Sequence, residues 1–114
     1  MTSAVANAIS STGALTRRRS ASLDVTTSEC RGLRELHLTL RPLPAEKPAD
    51  TVGRLAALLK ENQAAIVRQE IFGALSAHGE TLAALRRLLG EVDWPVTYVE
   101  GNSCGAEPLA GMHV

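Results

Sequence analysis

Between Leu36 and Glu100 the apolar period switches repeatedly between two residues and about 3.6 residues, and few architectures satisfy that alternation. In E-L-H-L-T-L-R, Leu36, Leu38 and Leu40 alternate with His37, Thr39 and Arg41, which is a strand with one buried leucine face and one polar face. Pro42 and Pro44 end it. Val52, Leu55, Ala56 and Leu59 then recur at helical spacing, which predicts a helix over 51–61 with Asp50 as its N-cap. Residues 65–75 read as a second strand, with Ile66, Arg68, Glu70 and Phe72 on one face and Val67, Gln69 and Ile71 on the other. Leu82, Leu85, Leu88 and Leu89 form the stripe of a second helix over 77–89, opened at Ser76 and closed at Gly90. Pro95-Val96-Thr97-Tyr98-Val99 is dense in β-branched and aromatic residues, so 96–100 reads as a strand. Pro95 has no N–H for a ladder and belongs at that strand's start or at a sheet edge. Residues 109–114 open one more strand.

The order strand, helix, strand, helix, strand, strand predicts an α+β fold, a mixed sheet with both helices on one face. Parallel neighbours need helical crossovers, so part of the sheet is parallel or split. A chain of 114 residues makes one domain, and with aromatics at 3% its core must be Leu, Val, Ile and Ala. Residues 1–28, rich in Ser, Thr and Ala without apolar period, read as a disordered tail. Their Arg/Ser bias also resembles a transit peptide. The folded domain is then 29–114, and its closing run A-G-M-H-V is either a very short strand or the point where a fragment stops. The sheet face opposite the helices needs cover, and self-association is the simplest source.

Charge and cysteine usage narrow the function classes. The formal net charge is zero, but residues 1–23 hold Arg17, Arg18, Arg19 and no acid, which leaves nine basic against twelve acidic residues beyond them. A mildly acidic domain argues against nucleic acid as a partner. No apolar run reaches the about 18 residues that cross a bilayer. Cys30 and Cys104 make no C-x-x-C or zinc spacing, and no two histidines pair at helical spacing, so no metal and no cofactor is expected. A single disulfide and two reduced thiols in a cytoplasmic protein both remain open, the second being the plainer reading.

Nucleotide-loop, zincin and nucleophile-elbow motifs are absent. The polar strand faces (His37, Thr39 and Arg41; Arg68 and Glu70) are candidates for an anion-binding wall, Arg being the bidentate partner of a carboxylate. N-S-C at 102–104 offers a nucleophile in Cys104, which needs a neighbouring cation such as His78 or His113 to become reactive.

The run I-V-R-Q-E-I-F-G-A-L, followed by a helix and then W-P-V-T-Y-V-E-G, resembles the Rid (YjgF-like) small proteins and looks close to a bacterial hydrolase branch of them. The resemblance spans 35–114. It implies a chorismate mutase-like core, a homotrimer and ligand clefts between subunits. It also implies hydrolysis of reactive enamines and imines such as 2-aminoacrylate, by proteins whose Arg grips the substrate carboxylate. That Arg falls in a Pro-x-Arg context, where this sequence has Pro95-Val96-Thr97, and the acidic residue of the last strand falls where His113 stands. No catalytic residue carries over. Two readings follow. In the first, a Rid-like trimer binds or hydrolyses a small carbonyl or imine metabolite in a cleft lined by Arg68, Glu70, Tyr98, Glu100 and Cys104, with Glu100 or Cys104 as the reactive group. In the second, the chain is a non-catalytic oligomeric domain or the N-terminal part of a longer chorismatase-like enzyme.

Overall fold

A computed structural model describes residues 13–103 and 105–114. Strands β1 (Gly13–Arg19), β2 (Leu23–Cys30) and β3 (Leu33–Leu40) come first, followed by helix α1 (Pro48–Asn62) and β4 (Gln69–Gly73). A 3-10 turn at Leu75–Ala77 leads into α2 (His78–Leu89), and β5 (Val96–Glu100) and β6 (Leu109–His113) complete the chain. The six strands form one mixed sheet in the order β1-β2-β3-β6-β4-β5. β4 and β5 pair in parallel, with α2 as their crossover. β6 inserts antiparallel between β3 and β4, so α1 joins two strands that run the same way on either side of it. The expected α+β sheet, parallel in part and split, is the one observed.

The strands alternate as their sequences dictate. Leu38, Leu40, Ile71, Leu109 and Met112 turn to one face and meet Val52 and Leu55 of α1 and Ala84 and Leu85 of α2 in a single buried cluster. Burying a side chain of this kind contributes about 1.5–3 kcal/mol. Gln69 is the polar exception. Fully buried beside Ile71, it donates from Nε2 to the sulfur of Met112 (3.1 Å) and accepts the indole N–H of Trp94 at 3.0 Å. A buried amide with both ends partnered escapes most of its desolvation cost.

The helix starts differ from their sequence forecast. Pro48, not Thr51, opens α1, because a ring with fixed φ and no N–H fits the first helical position. Asp50 is then the third helical residue, and its carboxylate accepts the backbone N–H of Lys47 at 3.3 Å rather than capping from outside. The helix closes at Gln63 in the left-handed conformation (φ 53°), and the Ala64 N–H returns to Leu59 O at 2.9 Å. Ala77 instead of Ser76 precedes α2, and Gly90 (φ 86°) ends it as expected.

The larger correction concerns residues 1–28. Residues 1–12 lie outside the described residues, but from Gly13 onward the expected tail is a hairpin that extends the sheet by two strands. Arg31 (φ 54°) and Gly32 (φ 80°) form the two-residue turn between β2 and β3, and positive φ at both positions matches the twist of the flanking strands. The hairpin is held mostly by its backbone ladder. β1 is exposed from Ala14 onward, and only Val25, at 5% exposure, enters the core. The domain boundary forecast at 28/29 therefore falls inside β2. β4 is also shorter than forecast, because its ladder runs only from Gln69 to Gly73, paired with β5 throughout and with β6 from Glu70 onward.

Candidate functional site

Among the described residues nothing covers the face opposite the helices, and the strand register writes one polar row across this open face. Thr97 on β5 pairs with Glu70 on β4, and Glu70 with His113 on β6. His113 pairs with Thr39 on β3, Thr39 with Asp24 on β2, and Asp24 with Arg19 on β1. Each member points the same way because cross-strand partners share a face. At the outer end, Arg41 holds Asp24 through Nη2 at 2.9 Å and Nη1 at 3.3 Å. That hydrogen bond, more than Coulomb attraction, keeps the Asp24 carboxyl below its ordinary range and raises the Arg41 guanidinium.

The centre of the row is concave. His37, Leu38, Thr39, Arg68, Glu70, His113 and Val114 line a cavity of ≈ 230 Å³. His113 Nδ1 lies 3.9 Å from Glu70 Oε1, both half-exposed, and its ring meets Phe72 edge-on with centroids 5.9 Å apart. His37 Nε2 lies 3.1 Å from Glu35 Oε1 at the mouth. Arg68 is exposed and has no hydrogen-bond partner among the described residues. A planar guanidinium beside a carboxylate–imidazole pair combines a bidentate anion partner with groups able to move a proton.

The residues singled out from the sequence divide between the two faces. Arg68 and Glu70 line the cavity together, without an ion pair between them among the described residues. Tyr98 and Glu100 alternate with Thr97 and so lie on the helix side. The Tyr98 hydroxyl donates to Ala74 O at 2.6 Å, and its ring stands edge-on to His78 at 4.8 Å. Burial pushes the phenol above its ordinary 10.0 despite an opposing hydrogen bond with Thr81. Glu100 is exposed at the sheet edge. Cys104 lies outside the described residues. His37 and Thr39, from one of the two polar strand faces grouped by sequence, line the cavity beside Arg68 and Glu70 from the other, and His113 joins them although neither periodicity nor a motif placed it there. Only the register of β6 between β3 and β4 brings His113 to them.

A second polar centre carries structure rather than chemistry. Glu46, 8% exposed in the β3–α1 connection, accepts Arg54 Nε at 2.9 Å, Arg54 Nη2 at 2.9 Å, Thr51 Oγ1 at 2.9 Å and the Leu43 N–H at 3.0 Å. Burial alone would raise this carboxyl, and the bonds from Arg54, Leu43 and Thr51 more than offset it, leaving it below its ordinary 4.5. Among the described residues, no group of three His, Cys, Asp or Glu is placed to hold a metal ion, and no helix is long and apolar enough to cross a membrane.

No family profile and no curated protein matches this sequence. Among solved structures, the fold is similar to the crystal structure of a "putative translation initiation inhibitor" from Salmonella typhimurium, with a TM-score of 0.62 and 15% identity over 87% of this chain and 92% of that one. That description is a name used for Rid (YjgF-like) proteins, and at this identity the likeness is one of fold.

Proposed function

We propose that this Rid-like fold binds a small carboxylate-bearing carbonyl or imine metabolite in the open-face cavity and hydrolyses the imine. The observation that carries the reading is the convergence of Arg68, Glu70 and His113 on one ≈ 230 Å³ pocket. Arg68 grips the carboxylate by its fork. Glu70 takes a proton from a water molecule as that water attacks the C=N carbon, and protonated His113 gives a proton to the nitrogen. As the carbinolamine collapses, Glu70 gives its proton to the nitrogen and His113 takes the hydroxyl proton, so the C–N bond breaks, ammonia leaves, the carbonyl compound remains and both side chains return to their starting forms. Arg68 thus does from β4's approach what the Rid arginine does from the position of Thr97.

The open face is the surface that self-association covers in this reading, as a homotrimer in the cytoplasm with the cavity at the subunit boundary. Leu15 (72% exposed), Leu33 (71%) and Val99 (42%) stand on that face, more apolar surface than the polar row needs. Glu100 and Cys104 would belong to the cleft as residues brought by a neighbouring copy.

Light scattering on a sizing column and turnover of an imine, generated from its amino acid by an amino-acid oxidase and followed as release of the 2-oxo acid, test the reading. A trimer whose turnover falls at least about tenfold in Glu70→Gln is expected. A monomer, or turnover equal in both proteins, refutes it. One observation favours a second reading, a non-catalytic binding domain: Thr97, not Arg, neighbours Glu70 on the open face. Saturable ligand binding without turnover in the wild-type protein selects that reading.

A further inference from the structure

Phe72 is the sole phenylalanine, and it takes no part in the buried cluster. The alternation of β4 puts it half-buried on the open face with Glu70, while Gln69 and Ile71 turn to the helices. Its ring stands edge-on to His113, the proton donor of the proposed reaction. Two neighbours complete an apolar surface around it. Val99 on β5 and Gly111 on β6 both pair with Phe72, so the three share one face. Val99 is an exposed aliphatic on a strand at the sheet edge. Gly111 presents no side chain, and a Cβ there would meet only Leu40 O within 4 Å, at 3.1 Å. Among the described residues, no side chain fills the space directly above Gly111, which is a hollow floored by main chain.

This apolar surface continues the line of the polar cavity. Successive residues on one face of a strand lie about 6.6 Å apart. Arg68, Glu70 and Phe72 therefore present, in order, a guanidinium, a carboxylate beside the His113 imidazole, and an aromatic ring. A 2-imino acid carries its groups in the same order: carboxylate, C=N carbon, side chain. With the carboxylate on Arg68 and the C=N carbon between Glu70 and His113, the side chain runs on over Gly111 and against Phe72. A polar side chain would give up water there without a new partner, because Phe72, Val99 and Gly111 offer no side-chain donor or acceptor. For an apolar side chain, each CH2 buried against Phe72 and Val99 is worth about fourfold in affinity.

We infer that the substrate is a 2-imino acid with a bulky apolar side chain, of the leucine or phenylalanine kind, and that Phe72, Val99 and the bare backbone at Gly111 form the subsite that selects it. The inference rests on the proposed reading of the polar cavity and adds to it the class of side chain that the site takes.

The test titrates the full chain, isotopically labelled, with two stable carbonyl counterparts, 2-oxobutyrate and 2-oxo-4-methylpentanoate, whose side chains differ by two carbons. The branched acid is expected to bind about tenfold more tightly. In Phe72→Ala that ratio is expected to fall to about one, and Val99→Thr, which exchanges a methyl for a hydroxyl at an exposed strand position, lowers it as well. A residue that only supported the fold would weaken both acids alike and leave the ratio as it was. Equal affinity of the wild-type protein for the two acids overturns the inference and leaves the cavity reading standing. A ratio unchanged in both variants overturns it too, and a change of mass on a sizing column in Phe72→Ala would then make Phe72 a subunit contact. No saturable binding of either acid refutes the anion-binding cavity itself, and the inference with it.

Discussion

Replacing Arg54 by Met removes one partner of the Glu46 cluster while keeping the aliphatic stem in place. The Glu46 side chain is 5% exposed and that of Arg54 25%, so the lost guanidinium leaves a carboxylate in a site that water hardly reaches. Thr51 and the Leu43 N–H still bond it, but no cation remains within reach. Breaking a buried pair from one side costs about 3–5 kcal/mol. The partial exposure of Arg54 puts the loss near the lower bound, about 3 kcal/mol, or about 12 °C of Tm for a domain of this size. Removing both charges in Glu46→Gln/Arg54→Met leaves no uncompensated ion, and that protein should recover to within about 1 kcal/mol of wild type. Urea unfolding followed by circular dichroism reads all the variants. A loss below about 1 kcal/mol in Arg54→Met, or a double variant as unstable as the sum of the singles, refutes the reasoning. The pH dependence gives an independent check. The folded carboxyl lies below its ordinary 4.5, so the unfolded chain binds more protons across that window. The stabilisation is complete above 4.5 and is lost as pH falls through the folded value, and the difference between wild type and Glu46→Gln should fade over that interval.

Gly73→Ala places a Cβ 2.7 Å from the Leu109 side chain, 2.8 Å from the Tyr98 hydroxyl and 3.0 Å from Pro108 O, and should cost about 1–3 kcal/mol in urea unfolding. Tyr98 is the sole tyrosine, so absorbance at high pH follows one group, and its midpoint should lie above 10.0; a midpoint at or below that value contradicts its burial. Tyr98→Phe leaves Ala74 O without its donor and should cost about 1 kcal/mol. Gly32→Val forces a β-branched residue to φ 80° and should speed amide exchange through β1 and β2 while leaving β4 protected.

Where side chains pay into a core, the sequence could be read. Leu38 and Leu40, Val52 and Leu55, and Leu85 all fall on the faces their periodicity assigned, and β5 spans 96–100 as its composition indicated. The hairpin could not be read in this way, because β1 and β2 place almost nothing in the core and are held by main-chain bonds that any residue can make. Its one local signal was Arg31-Gly32, a turn dipeptide with an unusual first member. The site was half legible. Alternation placed Arg68 with Glu70 on one face, but whether that face also carries Tyr98 and Glu100 is a matter of strand pairing. The register Glu70–His113–Thr39 joins residues far apart in sequence, and no local pattern encodes it. Glu46 carries no local signal, because the partner that buries it, Arg54, lies nearly two turns into the next helix.

In the proposed reading Arg68, Glu70 and His113 form one anion-binding pocket. Titration of the labelled protein with 2-oxobutyrate, a stable carbonyl counterpart of the proposed imine, tests it most directly. Saturable shifts are expected at Arg68, Glu70, Thr39 and His113, with affinity falling at least about tenfold in Arg68→Ala as the bidentate partner is lost. No saturable shift on the open face, or the same affinity in wild type and Arg68→Ala, would contradict it.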